Sequence, residues 1–166
     1  MKNLDNYIFP INTIICILTL CAVVFTMTDL GWKPCPMCLL QQLSVLCILV
    51  VSILGIIKKS PKIFSLIIRA IIILVVILGL YIAADQVYLQ YFANTPPPTT
   101  TNIASCGGID NPFLLSVTKS VTGSVESCSE ISEQISGYSL AVYSLIFFIC
   151  LLVINCIGFF IKIFKK

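Results

Sequence analysis

Apolar residues run along this chain in four long blocks, about residues 7–28, 39–57, 63–88 and 138–161, and most polar residues fall between them. A hydrocarbon core about 30 Å thick is crossed by about 20 predominantly apolar residues in an α-helix, and each block meets that length. The pattern therefore predicts four membrane-spanning helices. Two polar segments on one side join them, a short one over about residues 29–38 and a long one over about 89–137. No repeat of solenoid length is present, so the expected fold is a single all-α integral membrane four-helix bundle covering residues 1–166.

Composition excludes a water-soluble globule. Hydrophobic residues make up 58% of the chain and charged residues 10%, against about 25% charge in ordinary domains, and mean hydropathy is +1.06. The basic residues set the orientation. With a cytoplasmic N-terminus, Lys2, Lys58, Lys59, Lys62, Arg69, Lys162, Lys165 and Lys166 lie inside and only Lys33 and Lys119 outside, which satisfies the positive-inside bias. Both termini are thus expected in the cytoplasm, with two extracytoplasmic loops. The net charge of +3 is a topology signal, and nucleic acid is not an expected partner, because the cations gather at helix ends beside an anionic lipid surface. The first block is read as a retained span rather than a cleaved leader. No small residue precedes Cys21, and the apolar run continues through Val23, Val24 and Phe25.

Nine cysteines divide by position. Cys16, Cys21, Cys47, Cys150 and Cys156 lie inside the apolar blocks, where a thiol acts as a small hydrophobe. Cys35, Cys38, Cys106 and Cys128 fall at or beyond the outer ends of the spans, in the compartment where disulfides persist. In Lys33-Pro34-Cys35-Pro36-Met37-Cys38, Pro36 suits the first helical position because its missing N–H would have no intrahelical partner there. Cys35 then becomes the helix cap, with Cys38 in the first turn. Both sulfurs would sit at the positive end of the helix dipole, a field that favours the thiolate needed for exchange. Zinc is the competing use of four cysteines, but the chain has no histidine and the second pair, 22 positions apart, is not itself a Cys-x-x-Cys. No metal is expected.

The second pair belongs to a different kind of segment. Pro96-Pro97-Pro98-Thr99-Thr100-Thr101 favours an extended spacer, and Gly107-Gly108 leaves Cys106 exposed on a mobile loop that also carries Cys128. Asn111-Pro112 looks like a helix start. Phe113, Leu114, Val117 and Val121 at helical spacing would then lay a short amphipathic helix on the membrane surface. A bridge across a loop of this size would contribute about 3 kcal/mol by constraint alone, so a purely stabilising disulfide is the alternative to a redox pair.

The motif Lys-Pro-Cys-Pro-Met-Cys opening the second of four helices, together with a long second outer loop carrying its own cysteine pair and Gly137 beginning the last span, resembles the DsbB family of bacterial inner-membrane disulfide-forming proteins. The resemblance extends over nearly the whole chain. It implies that a Cys106–Cys128 disulfide oxidises a periplasmic DsbA-like thioredoxin-fold partner, with Cys106 forming the mixed disulfide. Reduced Cys128 would then attack Cys35, and Cys38 would pass electrons to a membrane quinone, ubiquinone or menaquinone. Such a sink must lie above a partner near about −120 mV, and this relay is the stock example of a compartment kept oxidising kinetically.

The family usually has arginine four residues after the second cysteine of the motif, where this chain has Gln42 preceded by Gln41. Residues three and four along share a face with Cys38, so either amide can donate to a quinone carbonyl, and Lys33 is the cation nearest in sequence. Near the outer end of the third helix, Asp85, Gln86 and Gln90 interrupt an apolar face among Tyr81, Tyr88 and Tyr91. They mark the lipid–water boundary or, for Gln86 and Gln90 four apart, line the same quinone pocket. Candidate site residues are therefore Cys35, Cys38, Cys106 and Cys128 for the chemistry, and Gln41, Gln42, Gln86 and Gln90 for the quinone. Two other readings stay open: a quinone reductase like vitamin K epoxide reductase, whose Cys-x-x-Cys would sit on the last helix, and a partner-binding protein with two structural disulfides.

Overall fold

The computed structural model of the chain describes residues 4–32, 34–57, 62–92, 116, 120, 128, 134–135 and 137–164. Among them are four helices, α1 (Leu4–Thr28), α2 (Pro36–Ile57), α3 (Lys62–Tyr91) and α4 (Leu140–Phe164), each long and apolar enough to cross a membrane. The chain is an all-α membrane bundle. Successive helices pack as neighbours, α1 on α2, α2 on α3 and α3 on α4, with a lighter contact closing α4 on α1. Four passes bring the two ends of the bundle sequence to one side and the 35–38 motif to the other.

Three departures of the boundaries from the apolar pattern lie at the end of the bundle that carries the 35–38 motif. Helix α2 begins at Pro36, before the apolar block, because proline fits the first turn. Helix α3 runs on through the polar residues to Tyr91. Helix α4 starts only at Leu140, because Gln134–Ile135 (β1) and Tyr138–Ser139 (β2) pair antiparallel, Gln134 opposite Ser139. Gly137 sits in the turn between them with φ +85°, a conformation that glycine adopts without steric cost, and so it closes a hairpin rather than beginning the span. The hairpin is tied to the end of α3, where the Tyr91 hydroxyl accepts from the Ser139 backbone N–H at 3.3 Å. Of the surface helix expected from Asn111, only Ser116 and Ser120 are among the described residues. Both are helical, with the Ser120 hydroxyl donating to the Ser116 carbonyl at 2.8 Å.

The bundle is apolar outside as well as inside. Leu18, Leu74, Tyr81 and Phe164 are exposed, as lipid-facing residues are, while Phe9, Ile48, Ile72, Val76, Phe148 and Leu151 form the packed centre. Lipid tails are as apolar as leucine, so close backbone approach and buried polar pairs must hold the helices together. Gly55 lies against Phe9, Gly79 against Phe148, and Gly158 against Ile8 and Arg69. Five cysteines of the spans, Cys16, Cys21, Cys47, Cys150 and Cys156, are free thiols.

The half of the bundle remote from the 35–38 motif carries a polar seam. Asn12 and Asn155 exchange side-chain hydrogen bonds, Asn12 Nδ2 donating to Asn155 Oδ1 at 2.7 Å and Asn155 Nδ2 to Asn12 Oδ1 at 3.3 Å. Asn155 Nδ2 also reaches the Leu151 carbonyl at 2.8 Å. Lys162 Nζ donates to Ser65 Oγ at 2.5 Å. Arg69, which the sequence groups with the charges of the helix ends, is fully buried within α3, its guanidinium carbon 5.0 Å from the centre of the Phe9 ring. Replacing Asn155 with alanine is expected to destabilise the bundle by about 1 kcal/mol. In a cycle with Asn12→Ala measured by unfolding in mixed detergent, the double variant should cost less than the sum of the singles.

Candidate functional site

At the end of the bundle that carries the 35–38 motif, the start of α2 meets the last turns of α3. The Cys35 carbonyl accepts from the Leu39 N–H at 3.1 Å, the first helical bond, and Cys35 Sγ accepts from the Cys38 N–H at 3.3 Å. Cys35 therefore caps α2 with its sulfur in the place where serine or aspartate usually offers oxygen. The cap carries Cys38 inward by one turn. The two side chains remain separate thiols, Cys35 donating to Cys38 Sγ across 2.9 Å, whereas a disulfide bond is about 2.05 Å long. Because Cys35 donates its proton to Cys38 and is itself buried, it holds that proton more tightly than an ordinary thiol.

Gln86 of α3 bridges this pair. Its Nε2 lies 3.3 Å from Cys35 Sγ and 3.3 Å from Cys38 Sγ, donating to both, while its Oε1 accepts from Gln41 Nε2 at 2.8 Å. Gln86 is 2% exposed and Gln41 is buried as well, so these bonds face no competition from water. Gln42 is half-buried, as is Cys38, and makes no hydrogen bond to this network among the described residues. Gln90, one helical turn beyond Gln86, has a buried Oε1 with no hydrogen-bond partner among the described residues. The structure thus brings Gln86 to the sulfurs and Gln41 to Gln86, and leaves Gln42 and Gln90 outside that network.

Cys128 is disulfide-bonded and 0% exposed, packed into one cluster with Cys35, Met37 and Ile82, and flanked by Cys38, Leu40 and Leu89. This differs from the freely moving arm expected of the polar loop, because burying an apolar sulfur bridge against Met37 and Ile82 is favourable. Cys106 and Lys33 lie outside the described residues. Among the described residues, no three His, Cys, Asp or Glu side chains gather as metal ligands would. The walls of the site, Met37, Ile82 and Leu89, were not singled out from the sequence. Ile82, Gln86 and Leu89 fall four and three apart, one face of a helix, and that spacing was the available signal.

A polytopic membrane bundle with a Cys-x-x-Cys dithiol at a helix start and a second, disulfide-bonded cysteine packed beside it defines a membrane protein of thiol–disulfide chemistry. Residues 5–158 match the model of the family described as Disulfide bond formation protein DsbB, and the chain belongs to that family. It is 28% identical over 159 residues to Disulfide bond formation protein B of Polaromonas sp. (strain JS666 / ATCC BAA-500), across 91% of this chain and 86% of that one. No solved structure matches the chain.

Proposed function

We propose that this membrane disulfide bond formation protein re-oxidises a soluble, periplasmic DsbA-like thioredoxin-fold protein and delivers the electrons to a quinone of the bacterial inner membrane. The observation that carries the reading is the packing of disulfide-bonded Cys128 against Cys35. In the exchange, a partner thiolate attacks Cys106 and breaks the Cys106–Cys128 bond, and the second partner thiol closes the partner's own disulfide. Released Cys128 attacks Cys35 of an oxidised Cys35–Cys38 pair, Cys38 leaves as thiolate, and Cys106 then displaces Cys35 to restore the loop bridge. Two electrons and two protons have moved from the partner to Cys35 and Cys38.

A membrane quinone, when bound, supplies the two-electron, two-proton acceptor that closes the cycle. The residues at this end of α2 and α3 suit one. Cys38 keeps part of its surface open, Gln42 lies one turn along the same helix and offers an amide donor, and the partnerless Gln90 Oε1 can accept from a hydroxyl. Gln42 supplies no positive charge where the family usually has arginine, so orientation here rests on hydrogen bonds rather than on ion pairing.

The test is spectrophotometric. Purified protein in detergent, given a reduced thioredoxin-fold partner and a quinone, is expected to consume one quinone per partner disulfide formed. Partner oxidation without quinone consumption, or no oxidation at all, would sink the reading.

A further inference from the structure

We infer that Gln41 is a positioning residue for the Cys35/Cys38 pair: by donating to the Gln86 carbonyl, it holds the Gln86 amide with its N–H edge, and not its oxygen, toward both sulfurs. The inference rests on the reading of Cys35 and Cys38 as an exchange pair. A primary amide has one acceptor end and one donor end of nearly the same shape, so the neighbours decide which way it faces. Here Gln41 Nε2 takes the Oε1 end at 2.8 Å, and the Nε2 end is left 3.3 Å from each sulfur. Turned round, the amide would set donor against donor at Gln41 and oxygen lone pairs against sulfur lone pairs at the motif. Burial of both glutamines removes the water that would soften either clash.

The consequence lies in the redox equilibrium of the pair. Cys35 gives its S–H to Cys38, so the reduced pair with a single proton needs donors for its remaining lone pairs, and Gln86 provides one to each sulfur. A flipped amide would offer none. Donors that stabilise the reduced form make a dithiol pair more oxidising. Two successive glutamines therefore have separate tasks: Gln41 acts inward through Gln86, and Gln42 takes no part in that network.

The experiment is a redox titration of the full-length protein in detergent against dithiothreitol, without quinone or protein partner. Acid quenching and alkylation precede mass analysis of the peptide that carries Cys35 and Cys38. Gln86→Met is expected to lower the ratio of reduced to oxidised pair about tenfold, which is about 30 mV toward more reducing. Gln41→Met should lower it about threefold, about 14 mV in the same direction, because the amide loses its anchor but keeps its N–H. The double variant should match Gln86→Met alone, since Gln41 acts only through Gln86. An unchanged ratio in Gln41→Met, or a double variant near about thirtyfold, the product of the singles, overturns the proposal. Should Gln41→Met fail to accumulate, Gln41→Glu serves above neutral pH. It keeps the volume but offers an acceptor, turns Gln86 round and must lower the ratio at least as far, and an unchanged ratio there also overturns it. Failure of the functional reading looks different: the unsubstituted protein would then consume no quinone, whatever these ratios are.

Discussion

Replacing Cys38 with serine is expected to stop quinone reduction while trapping a covalent Cys35–Cys128 bond. Cys35 and Cys128 pack in one buried cluster, and in the variant Cys35 loses the thiol with which it would otherwise close. Its sulfur then has one disulfide within the cluster to attack. Attack on Cys128 forms Cys35–Cys128, breaks the loop bridge and releases its other sulfur, assigned to Cys106, as a thiol, so no external oxidant is consumed. Turnover should fall about 10³-fold or more, the scale seen when a covalent nucleophile is removed. Digestion without reductant should yield a cross-linked peptide joining the two residues. A variant that alkylates fully at Cys35 and keeps its loop bridge would show that packing alone does not bring these sulfurs to reaction.

The largest structural effect is expected at Gly158. A Cβ built there collides with Ile8 Cδ1 of α1 and with the Arg69 guanidinium of α3, so α4 approaches both helices at a point where only hydrogen fits. Gly158→Leu must displace Arg69 from the face of Phe9. The displaced charge has no water to enter, since Arg69 is fully buried. Overpacking and a disturbed buried cation together should cost about 3 kcal/mol or more, read as a lower melting temperature in detergent. Gly158→Ala should fall between the two, while Ile157→Leu, at an exposed neighbouring position, should melt with the parent. If Gly158→Leu melts with the parent too, the three helices do not meet as closely as described.

Much of this is legible in the amino-acid sequence. The four spans follow from apolar length alone, and Pro36 announces both the start of α2 and the capping place of Cys35. What the sequence could not supply is the rotation of one helix against another. Gln86 and Gln90 lie on nearly the same face of α3, and Gln41 and Gln42 are adjacent on α2. Only the mutual setting of α2 and α3 brings Gln86 to the sulfurs and to Gln41. Arg69 reads as a charge of the helix end because the basic residues that precede it, Lys58, Lys59 and Lys62, gather there, yet it lies two turns inside α3, sheltered by Phe9 and by the missing side chain of Gly158. Polarity of the surrounding segment likewise suggested that Cys128 rides free. Its burial depends on a hydrophobic floor, Met37 of α2 and Ile82 of α3.

That burial also governs who can take part. Glutathione and other small thiols reach a disulfide by lining up behind one of its sulfurs, and Cys128, with 0% of its surface exposed, offers them no line of approach. The joint between loop and bundle is insulated, like a splice wrapped against leakage. Reducing equivalents drifting past in solution therefore find no way in at Cys128.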